Sequence, residues 1–245
     1  MKVALISGAS GEIGRETAKL FIKNGYFTIA LYNKDSESIN ELKEDLQKEN
    51  LSDFLFAVQA DFCKQEEIYS AFSVIEKNFN HIDVLVNNAG VGLYEFITET
   101  SDEDWDRVFD INVKSAFILT KLALKSMISR HSGKIINVSS IWGQVGASME
   151  VCYSASKSAL IGFTKALAKE VSPSGINVNC VCPGVIDTKM NARFSSEEMN
   201  ELINETPIGR LGTPTDIAEL IFFLSQEKSS FITGQIITAD GGFTL

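Results

Sequence analysis

Short apolar runs alternate with longer stretches of helical periodicity along the whole chain, and this alternation constrains the fold more than any other feature. The runs cover residues 3–6, 27–31, 54–59, 84–87, 134–138, 177–181 and 235–238. They are almost continuously apolar, which suits strands covered on both faces. Helical stretches are expected at 14–23, 36–48, 66–78, from Ser101 onward with a break near Asn112 and on to Arg130, and at about 152–171. Ser101 with Asp104, and Thr213-Pro214 with Asp216, read as helix starts, while Asn24-Gly25 and Gly133 read as stops. Strands that alternate with helices need crossovers, so the sheet is expected to be parallel and doubly wound. Without a linker, repeat or low-complexity tract, residues 1–245 read as one α/β domain.

Charge narrows the partners. Thirty-two acidic residues against 22 basic ones give a net charge of −10. Nucleic acids and anionic membranes both require a basic face, so neither is expected. The first apolar run is too short for a signal peptide, and no run approaches the roughly 18 apolar residues of a membrane span. A cytoplasmic protein is expected, with reduced thiols. Cys180 and Cys182, two apart in a strand, point to one face and read as core residues. No second Cys or His cluster completes a zinc site, so no metal is expected.

The first strand leads into SGASGEIG, residues 7–14, which opens a helix. A glycine turn in that context lets the backbone approach a pyrophosphate seated on the helix N-terminus. The second strand ends in LYNKD, with neutral Asn33 followed by Lys34. An acidic residue there would hold a ribose 2′-hydroxyl. A neutral residue beside a cation tolerates a 2′-phosphate, so NADPH is expected ahead of NADH. Arg15 adds to that expectation, and Asp35 and Glu37 oppose it.

The stretch YSASK places Tyr153 and Lys157 on one helix face. A phenol with its ordinary pKa near 10 is a poor base at neutral pH, but a neighbouring cation stabilises the phenolate. Such a pair can move a proton at a carbonyl oxygen without a histidine.

Together with Ser140 in INVSS, Asn112 in FDINVKSAF, NNAG at 87–90, Pro183-Gly184 and the DGG at 240–242, these motifs resemble the short-chain dehydrogenase/reductases from Ser7 to Gly242. The glycine turn departs from that family's G-x-x-x-G-x-G: Glu12 stands at its second glycine position, and a glycine has moved to Gly11. The resemblance implies a Rossmann-type sheet of about seven strands and a catalytic group of Asn112, Ser140, Tyr153 and Lys157. It implies cofactor contacts from Gly8, Ser10, Gly11, Ile13 and Gly14, and from Asn33 and Lys34. After the third and fourth strands it adds Asp61, Phe62, Asn88, Ala89 and Gly90. Tyr153, Lys157, Pro183, Gly184, Ile186 and Thr188 complete the nicotinamide side. A homotetramer built through the two long helices is the family's usual assembly.

Within the family, SASKSALIGFTKALAKE, GINVNCVCPG and PIGRLGTP are similar to the bacterial 3-oxoacyl-[acyl-carrier-protein] reductases, which implies a carrier-bound ketone of fatty acid synthesis. Arg130 and Lys134 could meet the acidic carrier, although Ser174 stands where the family has a second docking arginine. SSIWGQVGASMEVCYSASK also resembles reductases of the 5-aminopentanone modification of elongation factor P. There Trp142 and Glu150 would face the substrate, with Glu150 pairing an ammonium group. Residues 189–206 read as a substrate lid. A nucleotide-binding protein without turnover is a third class, and it should lack one of the four catalytic residues.

Overall fold

A computed structural model describes residues 1–191 and 194–245. Among the described residues, seven strands form one sheet: β1 (Val3–Ser7), β2 (Phe27–Tyr32), β3 (Leu55–Gln59), β4 (Val84–Asn87), β5 (Gly133–Val138), β6 (Ile176–Pro183) and β7 (Ile236–Ala239). Their order is β3-β2-β1-β4-β5-β6-β7, and every pairing is parallel. Both faces are covered, which explains the continuous apolar runs. Leu5, Ile29, Leu85, Ile135 and Val178 face one core, while Ala4, Ile6, Ala30, Val86 and Val181 face the other.

The helices are α1 (Glu12–Lys23), α2 (Ser36–Lys48), α3 (Gln65–Asn78), α4 (Asp102–Phe109), α5 (Ser115–Arg130), α6 (Trp142–Val145), α7 (Val151–Val171), α8 (Ser196–Glu205) and α9 (Pro214–Ser225). In α1 the buried positions are Gly14, Thr17, Ala18, Phe21 and Ile22, the spacing of one helical face. Ser101 caps α4 by accepting from the Asp104 N–H, and Thr213 and Asp216 form a reciprocal capping box on α9, as expected. No described helix is long and apolar enough to cross a membrane.

One expectation needs correction. The helix does not break near Asn112; α4 runs into α5 through a π-helical turn, Asp110–Lys114. The Asn112 side chain explains why. Its amide donates to the Val91 carbonyl at 3.0 Å, and its oxygen accepts from the Val91 N–H at 2.8 Å. The loop after β4 is thereby paired to the helix as if to another strand, and the wider turn accommodates it. The expected lid contains α8, which is capped by a Ser195–Glu198 box. Ala192 and Arg193 of that segment lie outside the described residues.

Strand order reverses between β1 and β4, which opens a crevice at their carboxyl ends. Two further contacts close its far side. Gly212 exchanges backbone hydrogen bonds with Val185 and Asp187, and Gly184 packs so closely on Asp240 that an added Cβ would lie 2.6 Å from its Cα. The Asp240 carboxylate in turn accepts from Gly242 and Thr244, so the DGG motif acts as a clasp behind the loop after β6.

Candidate active site

The crevice holds a cleft of ≈ 400 Å³. Ser140, Trp142, Glu150, Tyr153 and Lys157 all line it. Of the expected cofactor residues, only Lys34 and Asp61 do not; Lys34 is exposed at the rim. Asn112 sits behind the wall, only 1% exposed.

The glycine turn is built by close approach. Gly8 has φ +66°, and a Cβ there would lie 2.7 Å from the Ala89 Cα. A Cβ on Gly14 would come within 2.3 Å of the Gly8 carbonyl oxygen. Gly11 differs: its nearest neighbour would be 3.5 Å from a Cβ, an ordinary contact. Two side chains hold the turn: Ser7, which the sequence did not single out, and Asn88, which it did. Ser7 Oγ accepts from the N–H groups of Asn88 and Ala89, at 3.0 and 3.1 Å. The Asn88 amide donates to the carbonyls of Ser7 and Gly8, both at 3.1 Å. Asn88 therefore supports the cradle as well as lining it.

Where the sequence places the nucleotide, two of the charged residues have partners of their own. Arg15 forms a 2.7 Å ion pair with Glu41 and does not line the cleft. Asp35 caps α2 by accepting from the Ser38 N–H and hydroxyl. Those hydrogen bonds hold its carboxyl below the usual range, with help from the Lys189 and Arg15 charges. Lys189 is thus a cation on this side that sequence reading passed over. The Asn33 amide donates to Asp61 at 3.4 Å, so these two residues brace each other.

At the other end, Lys157 is buried and donates to the Val138 carbonyl at 2.9 Å. Its ammonium lies 5.6 Å from the centroid of the Tyr153 ring. Burial pulls its pKa down to about 8, with the Cys180 and Cys182 thiols acting in the opposite direction. Gly90 is close: a Cβ there would approach the Lys157 nitrogen to 3.0 Å. Ser140 Oγ accepts from the Trp142 N–H at 3.1 Å, which leaves its own proton as a donor.

Sequence reading named the serines of YSASK but gave them no role. Ser156, fully buried, donates to the Tyr153 carbonyl at 2.7 Å and accepts from Asn112 at 2.9 Å. It joins the π turn to the tyrosine. Ser139 donates to the Lys157 carbonyl at 2.7 Å and anchors the lysine's turn of helix in the same way. Phe243 packs edge-on against Trp142 at 5.8 Å. The signal for Ser156 and Ser139 was burial, which a single sequence does not display.

The two basic residues considered for carrier docking are placed unfavourably. Arg130 is engaged by Asp83 and the Ile82 carbonyl, and Lys134 is buried and bonded to Asn177. Both lie at the amino end of β5, across the sheet from the cleft of the same chain. Cys180 and Cys182 are buried thiols, as expected for core residues; Cys152 is buried too, and Cys63 is half-buried. Hydrogen bonding to Cys182 and burial push the Cys180 thiol well above its usual range.

Comparison with known proteins matches residues 8–244 to a family described as enoyl-(acyl carrier protein) reductase. An oxidoreductase of Bacillus subtilis (strain 168) named YmfI, of uncharacterized activity, is 40% identical, with 99% of this chain and 98% of that one covered. The 3-oxoacyl-[acyl-carrier-protein] reductase FabG of Chlamydia muridarum is 37% identical over 98% of this chain and 96% of its own. A crystal structure from Agrobacterium tumefaciens, assigned provisionally as a gluconate dehydrogenase, superposes with a TM-score of 0.93 at 30% identity, covering 99% of this chain and 95% of that one. Near-complete coverage at these identities, on a sheet of the expected order, shows that the chain belongs to the short-chain dehydrogenase/reductase family of oxidoreductases.

Proposed function

We propose that this protein is an NADPH-dependent ketone reductase in which Tyr153 delivers the proton to the substrate oxygen. The observation that carries the reading is the buried Lys157 ammonium beside the Tyr153 ring, in the same cleft as a glycine-built cradle. The family uses NAD(P), and the cradle fits a dinucleotide, because Gly8 and Gly14 leave no room for side chains where a pyrophosphate needs backbone. A nicotinamide supplies the hydride when bound. Ser140 donates a hydrogen bond to the substrate oxygen, Tyr153 gives up its proton there, and Lys157 stabilises the phenolate that remains. Asn112 and Ser156 keep the tyrosine's turn of α7 in place. Lys34 and Lys189 favour the 2′-phosphate of NADPH. A homotetramer belongs to the same reading, with Phe117 and Ile128 exposed on α5.

Lys157 gives this mechanism a pH signature. Its proton is present below about 8 and is lost above it, because burial has lowered the pKa. The rate constant kcat/KM for ketone reduction is expected to fall as pH rises through that value, since this constant reports the free enzyme. A profile flat to high alkaline pH would remove Lys157 from the role.

Two substrates are supported by different observations. Similarity to relatives such as the 3-oxoacyl-[acyl-carrier-protein] reductase FabG supports a 3-oxoacyl group on carrier protein. An acidic residue in the cleft lining supports a ketone that carries an ammonium group, such as the 5-aminopentanone modification of elongation factor P. Glu150 lies there, three residues before the tyrosine and 7% exposed. Nicotinamide oxidation with a 3-oxoacyl carrier-protein thioester, comparing NADPH and NADH, separates them. Fast NADPH-dependent turnover establishes the first substrate. Tight NADPH binding without thioester turnover eliminates it, and the 5-aminopentanone ketone is then the substrate to assay.

A further inference from the structure

Glu12 occupies the position where the glycine motif departs from its family's pattern. Its carboxylate stands in the first turn of α1, at the positive end that a pyrophosphate would share. A carboxylate facing the pyrophosphate would oppose it. The side chain instead reaches across the cleft, and its Oε1 accepts from the Lys189 N–H at 2.9 Å. One wall of the cleft is thereby tied to the other.

The far end of this bond is well founded. Asn191 donates to the Ile186 carbonyl at 2.7 Å, and the Asn191 N–H bonds to the Thr188 carbonyl at 3.0 Å. Asp187 is held by Gly212. The loop 186–191 is therefore a braced unit. The near end is equally fixed, because Glu12 is the first residue of α1, directly after the glycine turn. The bond crosses between two units that both line the cleft.

We propose that Glu12 is a strap that governs the exchange of the dinucleotide. It holds the loop 186–191 over the pyrophosphate end of the cleft, and a dinucleotide enters or leaves when the Glu12–Lys189 bond opens. The inference rests on the NAD(P)H reading of the cleft. A single charge-assisted hydrogen bond at a solvent-exposed rim implies a modest effect, about fivefold on the dissociation rate.

The test uses the full chain and two readouts. Hydrogen exchange over the peptide that contains the Lys189 amide, without added nucleotide, reads the strap itself. It is expected to accelerate in Glu12→Ala and to stay near the wild-type rate in Glu12→Gln, whose amide oxygen still accepts. Stopped-flow release of NADPH, followed by its fluorescence, reads the function. The dissociation rate is expected to rise about fivefold in Glu12→Ala and to remain within about twofold in Glu12→Gln. Unchanged exchange in Glu12→Ala overturns the strap. Faster exchange with unchanged NADPH release overturns its role as a gate. If the wild-type protein binds neither NADPH nor NADH, the gate falls together with the reductase reading, and the absence of any fluorescence change marks that case.

Discussion

Tyr153→Phe is expected to lower kcat for ketone reduction by about 10²–10⁴-fold while the dissociation constant for NADPH stays within about twofold. The substitution removes one oxygen and leaves the ring that packs beside Lys157. The lysine keeps its bond to the Val138 carbonyl, and Ser156 keeps its bond to the residue 153 carbonyl, since neither uses the phenol. The fold and the cradle are therefore preserved, and the proton donor is lost. Turnover assayed beside NADPH titration separates the two effects. A variant that retained near-full activity would exclude the tyrosine mechanism, and one that lost NADPH binding as well would mean the side chain is structural.

Gly14→Ala is expected to produce the second large effect, this time on binding. Its Cβ would sit 2.3 Å from the Gly8 carbonyl oxygen and 2.9 Å from the Ala9 Cα, both backbone atoms with little freedom to move. Forcing them apart costs about 1–3 kcal/mol, or about 5- to 150-fold if it falls on the cradle that takes the pyrophosphate. Gly11→Ala is the control. Its Cβ meets nothing closer than 3.5 Å, and its backbone at φ −74° suits any residue. NADPH affinity measured for both variants should fall steeply in the first and stay within about twofold in the second. Equal losses would show that the turn depends on glycine flexibility rather than on close approach.

This contrast marks how far the sequence could be read. The order of strands and helices was legible because doubly covered strands must be apolar throughout, and α1 buries every residue that its periodicity assigns to one face. The reacting pair was legible because Tyr153 and Lys157 must share a helix face. Side chains whose partners are distant in sequence were not legible. Arg15 pointed toward the nucleotide by position, yet it is held by Glu41 on α2. Lys134 counted as a surface cation by type, but its strand buries it against Asn177. Ser156 has one partner within its own motif, the Tyr153 carbonyl, but the other half of its role comes from Asn112, 44 positions away. Glu12 stood out as a departure from the glycine pattern, but only the fold brings it to Lys189.

The π turn at Asp110–Lys114 carries a consequence for how this part of the chain can vary. Each residue of an α-helix advances the side-chain direction by about 100°. A turn that takes up one extra residue therefore resets the phase between α4 and α5. Both helices can then present their own apolar stripes to the core, while Asn112, at the join, still points at Val91. Removing one residue there would restore a regular helix and rotate everything on one side of the join by that angle. Either the stripe of α5 or the link to Ser156 would be turned away from its partner. The segment can exchange its exposed residues freely, but its length is fixed by the site it serves.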